Sequence, residues 1–148
     1  MMNTEKNLFS QKAATGYTVC FMNQCPLHEQ CLRWMVGQSM TKDKEICQCV
    51  NPYLNGVATE QCVKYRPAQK VLMAKGMENI FTDDMPRRLE PAIRTALMCR
   101  YNRTYFFEYR NGSRLIPPAM QEEIRDLFRH QGWTQEVQFD EFVEDYEW

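Results

Sequence analysis

The stretch YNRTYFFEYRNGSR, Tyr101 to Arg114, sets aromatic side chains among arginines and carries Asn-Gly at 111–112. Its reading decides the fold. Placed at 100° steps, Tyr105, Phe106 and Tyr109 share one arc and would face a core, while Arg103, Phe107 and Arg110 fall on the adjoining face. Asn102 suits a helix cap and Gly112 a helix stop. The rival is a hairpin: TYFFEYR is aromatic enough for a strand, Asn111-Gly112 is a favoured two-residue turn, and SRLI could return as the partner. That return strand meets Pro117 and Pro118 at once, which leaves few ladder bonds, so the helix is the preferred reading.

Working outward, PAQKVLMAKGMENIF after residue 66 predicts a helix, with Pro67 at its first position and Val71, Leu72, Met73, Met77 and Ile80 apolar. Asp83 or Asp84 can cap a second helix through MPRRLEPAIRTALM, where Leu89, Ile93, Ala96 and Leu97 recur at helical spacing. PPAMQEEIRDLFRHQGW predicts a third, its stripe made by Met120, Ile124, Leu127 and Phe128, starting at Pro118 and stopping at Gly132.

Residues 1–16 are polar, without apolar periodicity, and are expected to be a flexible lead-in. Residues 17–66 hold Cys20, Cys25, Cys31, Cys47, Cys49 and Cys62 among Gly, Pro and Asn breaks, with a helical pattern only around His28 to Val36. Thiolates are soft ligands, and four close a tetrahedral zinc site or carry an iron-sulfur cluster. A region with few apolar residues to bury has reason to use one. The preferred ligands are Cys20, Cys25, Cys31 and Cys62, with zinc the expected ion and an iron-sulfur cluster the alternative. The spacing is neither the paired zinc-ribbon form nor a usual ferredoxin run. Buried free thiols with no cofactor and redox-active thiols at Cys47 and Cys49 stay open.

The 148 residues are 44% hydrophobic and 25% charged, within the globular range. The net charge of −1 hides an uneven distribution. From Met85 to Arg114 seven arginines stand against Glu90 and Glu108, a local charge of +5 suited to phosphates. The ending DEFVEDYEW is acidic, a solvated end or a shield for that patch. No signal peptide or membrane span is read, so a cytoplasmic protein with reduced thiols is expected. Only His28 and His130 are available as histidines, and neither lies in a catalytic motif. No glycine-rich phosphate loop is present, so no enzyme is expected.

Residues 96–117, ALMCRYNRTYFFEYRNGSRLIP, resemble the helix-turn-helix of Cro and repressor-like DNA-binding domains. The resemblance implies that Ala96 and Leu97 lie on the first helix, Tyr101 and Phe106 pack inward, and Arg103, Thr104, Phe107 and Arg110 form the recognition face. It departs at Arg100, where that family has a turn glycine. CFMNQCPLHEQCLR, QCVKYRPAQKVLMAKG, NRTYFFEYRNGSRLIPPAMQEEI and FDEFVEDYEW resemble, over most of the chain, a bacterial family of unknown function found mainly among Bacteroides relatives. That implies an intracellular bacterial protein and supplies no activity.

The expectation is a mainly α protein: a lead-in at 1–16, a small cysteine-rich region at 17–66, and a helical, helix-turn-helix-like C-terminal domain at 67–148 with the motif at 89–112. Its function would be nucleic-acid binding, DNA before RNA, through Arg100, Arg103, Thr104, Phe107, Arg110 and Arg114. A homodimer on paired half-sites would fit that function. The alternative is an adaptor that grips a protein partner with Met and aromatic surface.

Overall fold

The computed structural model describes residues 2–148. In order they form α1 (Met2–Ala14), a 3-10 turn (His28–Gln30), α2 (Leu32–Gln38), β1 (Lys70–Lys75), α3 (Leu89–Tyr101), α4 (Arg103–Asn111), α5 (Pro118–His130) and β2 (Glu141–Tyr146). The expected mainly α fold, with a helix-turn-helix-like C-terminal domain behind a cysteine-rich region, is therefore corrected. The described residues form a mixed fold of five α-helices and one two-stranded antiparallel sheet. It divides into two compact units. Unit 1 runs to Gln69 and takes in Glu147 and Trp148; unit 2 is Lys70–Tyr146.

In unit 2 the predicted helix from Pro67 is instead β1. VLMA is a short apolar run whose period does not separate strand from helix, and long-range pairing decides between them. β1 pairs with β2 from Lys70↔Tyr146 to Lys75↔Glu141, so part of the acidic ending is a strand. Lys75 Nζ meets Glu141 Oε1 at 3.0 Å. The other edge of β1 bonds Ile116: the Ala74 amide donates to the Ile116 carbonyl at 3.0 Å and the Ile116 amide donates back at 2.9 Å. The fragment that might have closed a hairpin on 105–110 thus pairs with β1. Gln121, itself buried, donates from Nε2 to the Leu72 and Ile116 carbonyls, both at 2.9 Å, and ties α5 to this ladder.

The opening stretch is helical. α4 begins at Asn102, whose Oδ1 accepts from the Tyr105 amide at 3.0 Å, and stops at Gly112 in the left-handed conformation. Only Asn102 separates α4 from α3, and its φ of 59° makes the break. A helix-turn-helix uses a turn of about three or four residues, so the likeness to that motif ends at this joint. Neither Asp83 nor Asp84 caps α3. Its N-cap is Arg88 without a side-chain bond, and Pro91 sits in the first turn, where its missing N–H costs nothing. α5 begins at Pro118 as predicted, and Gly132 follows its last turn. These elements enclose one contiguous core that includes Ala74, Met77, Ile93, Leu97, Phe106, Ile124, Phe128 and Trp133.

In unit 1 the expected flexible lead-in is α1, which buries Phe9 and Ala13. The Phe9 and Tyr17 rings meet Trp148 edge-on at 6.2 and 5.8 Å. These are widely separated contacts that local periodicity does not encode. Among the described residues no helix or strand lies between Gln38 and Lys70.

Candidate functional site

Unit 1 gathers four of the six thiols of residues 17–66 around one cavity. Cys20, Cys25, Cys31 and Cys62 all line it, together with Met22, Leu27, His28, Arg33, Trp34, Val50, Val57 and Lys64. Each cysteine is brought there by local backbone. Val19, just before Cys20, bridges in parallel to Cys49, and the Cys20 amide donates to the Arg33 carbonyl at 2.9 Å. Cys25 closes one turn on Met22 and opens the next, its carbonyl accepting from the His28 amide at 3.2 Å. Cys31 is the N-cap of α2 and bridges to Pro67. Cys62 lies between two turns, Thr59–Cys62 and Cys62–Tyr65. Gly37 lets α2 approach: a Cβ there would lie 2.6 Å from the Cys20 carbonyl oxygen.

Burial pushes the Cys20 thiol above its ordinary value. The Met22 amide bonded to its sulfur opposes this, and the nearby Cys31, Cys25 and Cys62 thiols raise it further. The same influences place the sulfurs of Cys31, Cys25 and Cys62 within electrostatic reach of Cys20. A ligand taken up here must displace thiol protons, so binding weakens as pH falls. His28 donates from Nδ1 to the Cys25 carbonyl at 2.6 Å and meets the Trp34 ring edge-on at 4.6 Å. Arg33 is pinned by bonds to the Thr18 and Lys64 carbonyls at 2.8 and 2.9 Å. Sequence reasoning named the cysteines and missed Arg33 and Lys64 as wall residues, because nothing in their spacing marks them. Cys47, Cys49 and Cys99 do not line this cavity. Among the described residues, no three His, Cys, Asp or Glu side chains close on one point as ligands of a single ion would.

The arginine face lies in unit 2. On α4, Phe106 and Tyr109 turn inward, whereas Tyr105, expected inside, is 44% exposed. Arg114 lies over its ring at 4.5 Å. Arg103, Thr104 and Phe107 are exposed together, and the Arg103 guanidinium stands 5.8 Å from the Phe107 ring centre. Two expected phosphate contacts are occupied. Arg100 pairs with Glu123 at 3.3 Å and Arg114 with Glu108 at 2.6 Å. Arg103 and Arg110 have no carboxylate partner within ion-pair distance among the described residues. Glu123 also accepts from the Tyr101 hydroxyl at 3.0 Å, and burial followed by that carboxylate pushes the phenol up to about 12.

Residues 2–148 match the family described as a family of unknown function, DUF6078, and the chain belongs to that family. No curated protein and no solved structure matches the chain. Among the described residues no helix is long and apolar enough to cross a membrane.

Proposed function

We propose that this chain is a bacterial cytoplasmic binding protein without catalytic activity, in which Cys20, Cys25, Cys31 and Cys62 hold an inorganic centre and α4 binds DNA. The observation that carries the reading is the lining of one cavity by four thiols, in a unit that buries few large side chains. The centre's part is structural, since ligand binding to thiolates is folding free energy for a region, residues 17–66, whose only α-helix among the described residues is the short α2. Zinc and an iron-sulfur cluster are the two groups such a donor set takes.

For DNA the support is narrower than six residues. Arg103 and Arg110 are the cations left for phosphates, with Thr104 and Phe107 beside them, while Arg100 and Arg114 are held by Glu123 and Glu108. The test uses the purified chain, its metal content and a mixed-sequence duplex. Metal should be present and lost in Cys31→Ser. Duplex binding should fall steeply with salt, and Arg103→Ala with Arg110→Ala should weaken it strongly and flatten the salt slope by about two. Duplex binding that is unchanged by the double substitution defeats the DNA reading. The exposed rings of Tyr105 and Phe107 favour a protein partner as the second reading. That reading predicts no salt-dependent retention on DNA and loss of partner binding in Phe107→Ala.

A further inference from the structure

We infer that the outer edge of β2 is a docking site for an extended basic segment of a partner protein, which adds to the sheet as a further strand. The direction of the backbone groups carries this. In an antiparallel ladder each residue turns its N–H and its C=O to the same side, and the side alternates along the strand. Ala74 turns both groups to Ile116, at 3.0 and 2.9 Å, and the Leu72 carbonyl accepts from Gln121 Nε2 at 2.9 Å. Leu72 and Ala74 therefore face away from β2, and the ladder is held by Val71, Met73 and Lys75 through their partners Asp145, Val143 and Glu141. The residues opposite Leu72 and Ala74 are Glu144 and Phe142, so their amides and carbonyls point outward. Among the described residues no hydrogen bond meets those groups. The Tyr146 amide, next in the series, is met by the Asp145 carboxylate at 2.7 Å. Outward groups of this kind are a template for another strand.

The side chains choose the occupant. Cross-strand partners share a face of the sheet, which puts Leu72, Phe142 and Glu144 on one side and Glu141, Val143 and Asp145 on the other. Leu72 and Phe142 are 54% and 44% exposed, and Phe142 stands edge-on to Phe139 at 6.0 Å. An incoming strand meets apolar surface on the first side and carboxylates on the second. Residues 140–148 hold Asp140, Glu141, Glu144, Asp145 and Glu147 without a lysine or arginine, so pairing with a second copy of β2 would set like charges opposite each other. Lys75 answers Glu141 from within the sheet, whereas Glu144 has no ion-pair partner among the described residues. The edge thus fits a strand that alternates basic and apolar residues, with main-chain bonds for affinity and alternate side chains for choice.

The probe is a short, end-blocked peptide of alternating lysine and valine, added to the full chain. In the free protein the Phe142 and Glu144 amides should exchange at the rate of open peptide, while the Val143 amide between them is protected. Peptide binding should slow both open amides and weaken with salt. The same peptide N-methylated at alternate residues keeps its charge and cannot bond the edge, so it should not bind, nor should a glutamate–valine peptide. Glu144→Pro removes an outward N–H and leaves the bonds to β1, and should weaken binding about tenfold. The exchange measured on the unaltered chain stands whether or not that variant folds. Protection of both amides in the free chain would overturn the inference, since the edge would already be filled. Equal binding of the N-methylated peptide reduces the contact to charge attraction and overturns it too. So does a concentration-dependent dimer that protects these amides, which places a second copy there, and so does failure of the lysine–valine peptide to bind.

Discussion

Unit 2 buries many large side chains, and unit 1 buries few, Phe9 and Leu32 among them. In unit 2, Phe106, Phe128, Ile93, Leu97, Ile116 and Ile124 are all at or below 1% exposure within one cluster. Unit 1 offers mostly small buried groups, among them Val19, Val36, Val50 and Val57, and leaves Ile46 and Tyr53 at 84 and 91% exposure. Its backbone between α2 and β1 is turns and bridges. One chain therefore contains two solutions to the conformational entropy cost. One is apolar burial, at roughly 25 cal/mol per Å². The other, on the reading proposed here, is ligation by four thiolates.

The largest expected effect comes from removing the centre. Chelation, or Cys31→Ser, should remove stabilisation on the order of 10 kcal/mol. Amide exchange should then become fast across residues 17–66, while residues 70–146 keep their protection. Equal loss in both units would break the comparison. Next comes Phe128→Ala, which should destabilise unit 2 by about 3–5 kcal/mol in urea unfolding and leave metal content unchanged. A drop in metal content would show that the units are not energetically separate.

Gly37→Ala sharpens the picture of unit 1 at about 1–3 kcal/mol, because the new Cβ meets the backbone carbonyl of Cys20, which cannot swing aside. Metal affinity should weaken with it, whereas a substitution at Gly132, with nothing within 4 Å, should leave affinity alone. The smallest effect is a pH dependence. The Tyr101 phenol is raised from 10.0 to about 12 in the folded chain, so its contribution to unit 2 is complete below pH 10.0 and lost as pH rises towards 12. Tyr101→Phe should flatten that alkaline loss in a stability profile, and an unaltered profile would remove Tyr101 from the account.

Legibility differed by the range of the interactions involved. α5 could be read nearly to its ends, since its apolar stripe, Pro118 and Gly132 are local signals. The helix at 103–111 was readable against its hairpin rival through Asn102 and Gly112. β1 was not, because Lys70–Lys75 takes its conformation from partners at Glu141–Tyr146 and Ile116, far along the chain. α1 escaped for a similar reason: its pattern is weak, and its buried Phe9 meets Trp148. The pairing of Arg100 with Glu123 and of Arg114 with Glu108 also lay beyond sequence patterns, and it halves the cations on the proposed DNA face.

By itself the sequence determined the helices with strong periodicity and clear caps, the basic character of residues 85–114, and the supply of thiols in residues 17–66. Those properties belong to single residues or to neighbours a turn apart. The tertiary structure alone decided that a predicted helix is a strand, which arginines remain unpaired, and that Cys20, Cys25, Cys31 and Cys62 share one cavity while Cys47 and Cys49 do not. The physical reason is that sheet pairing, ion pairing and ligation all depend on distances between groups remote in the chain, and only the folded backbone sets those distances.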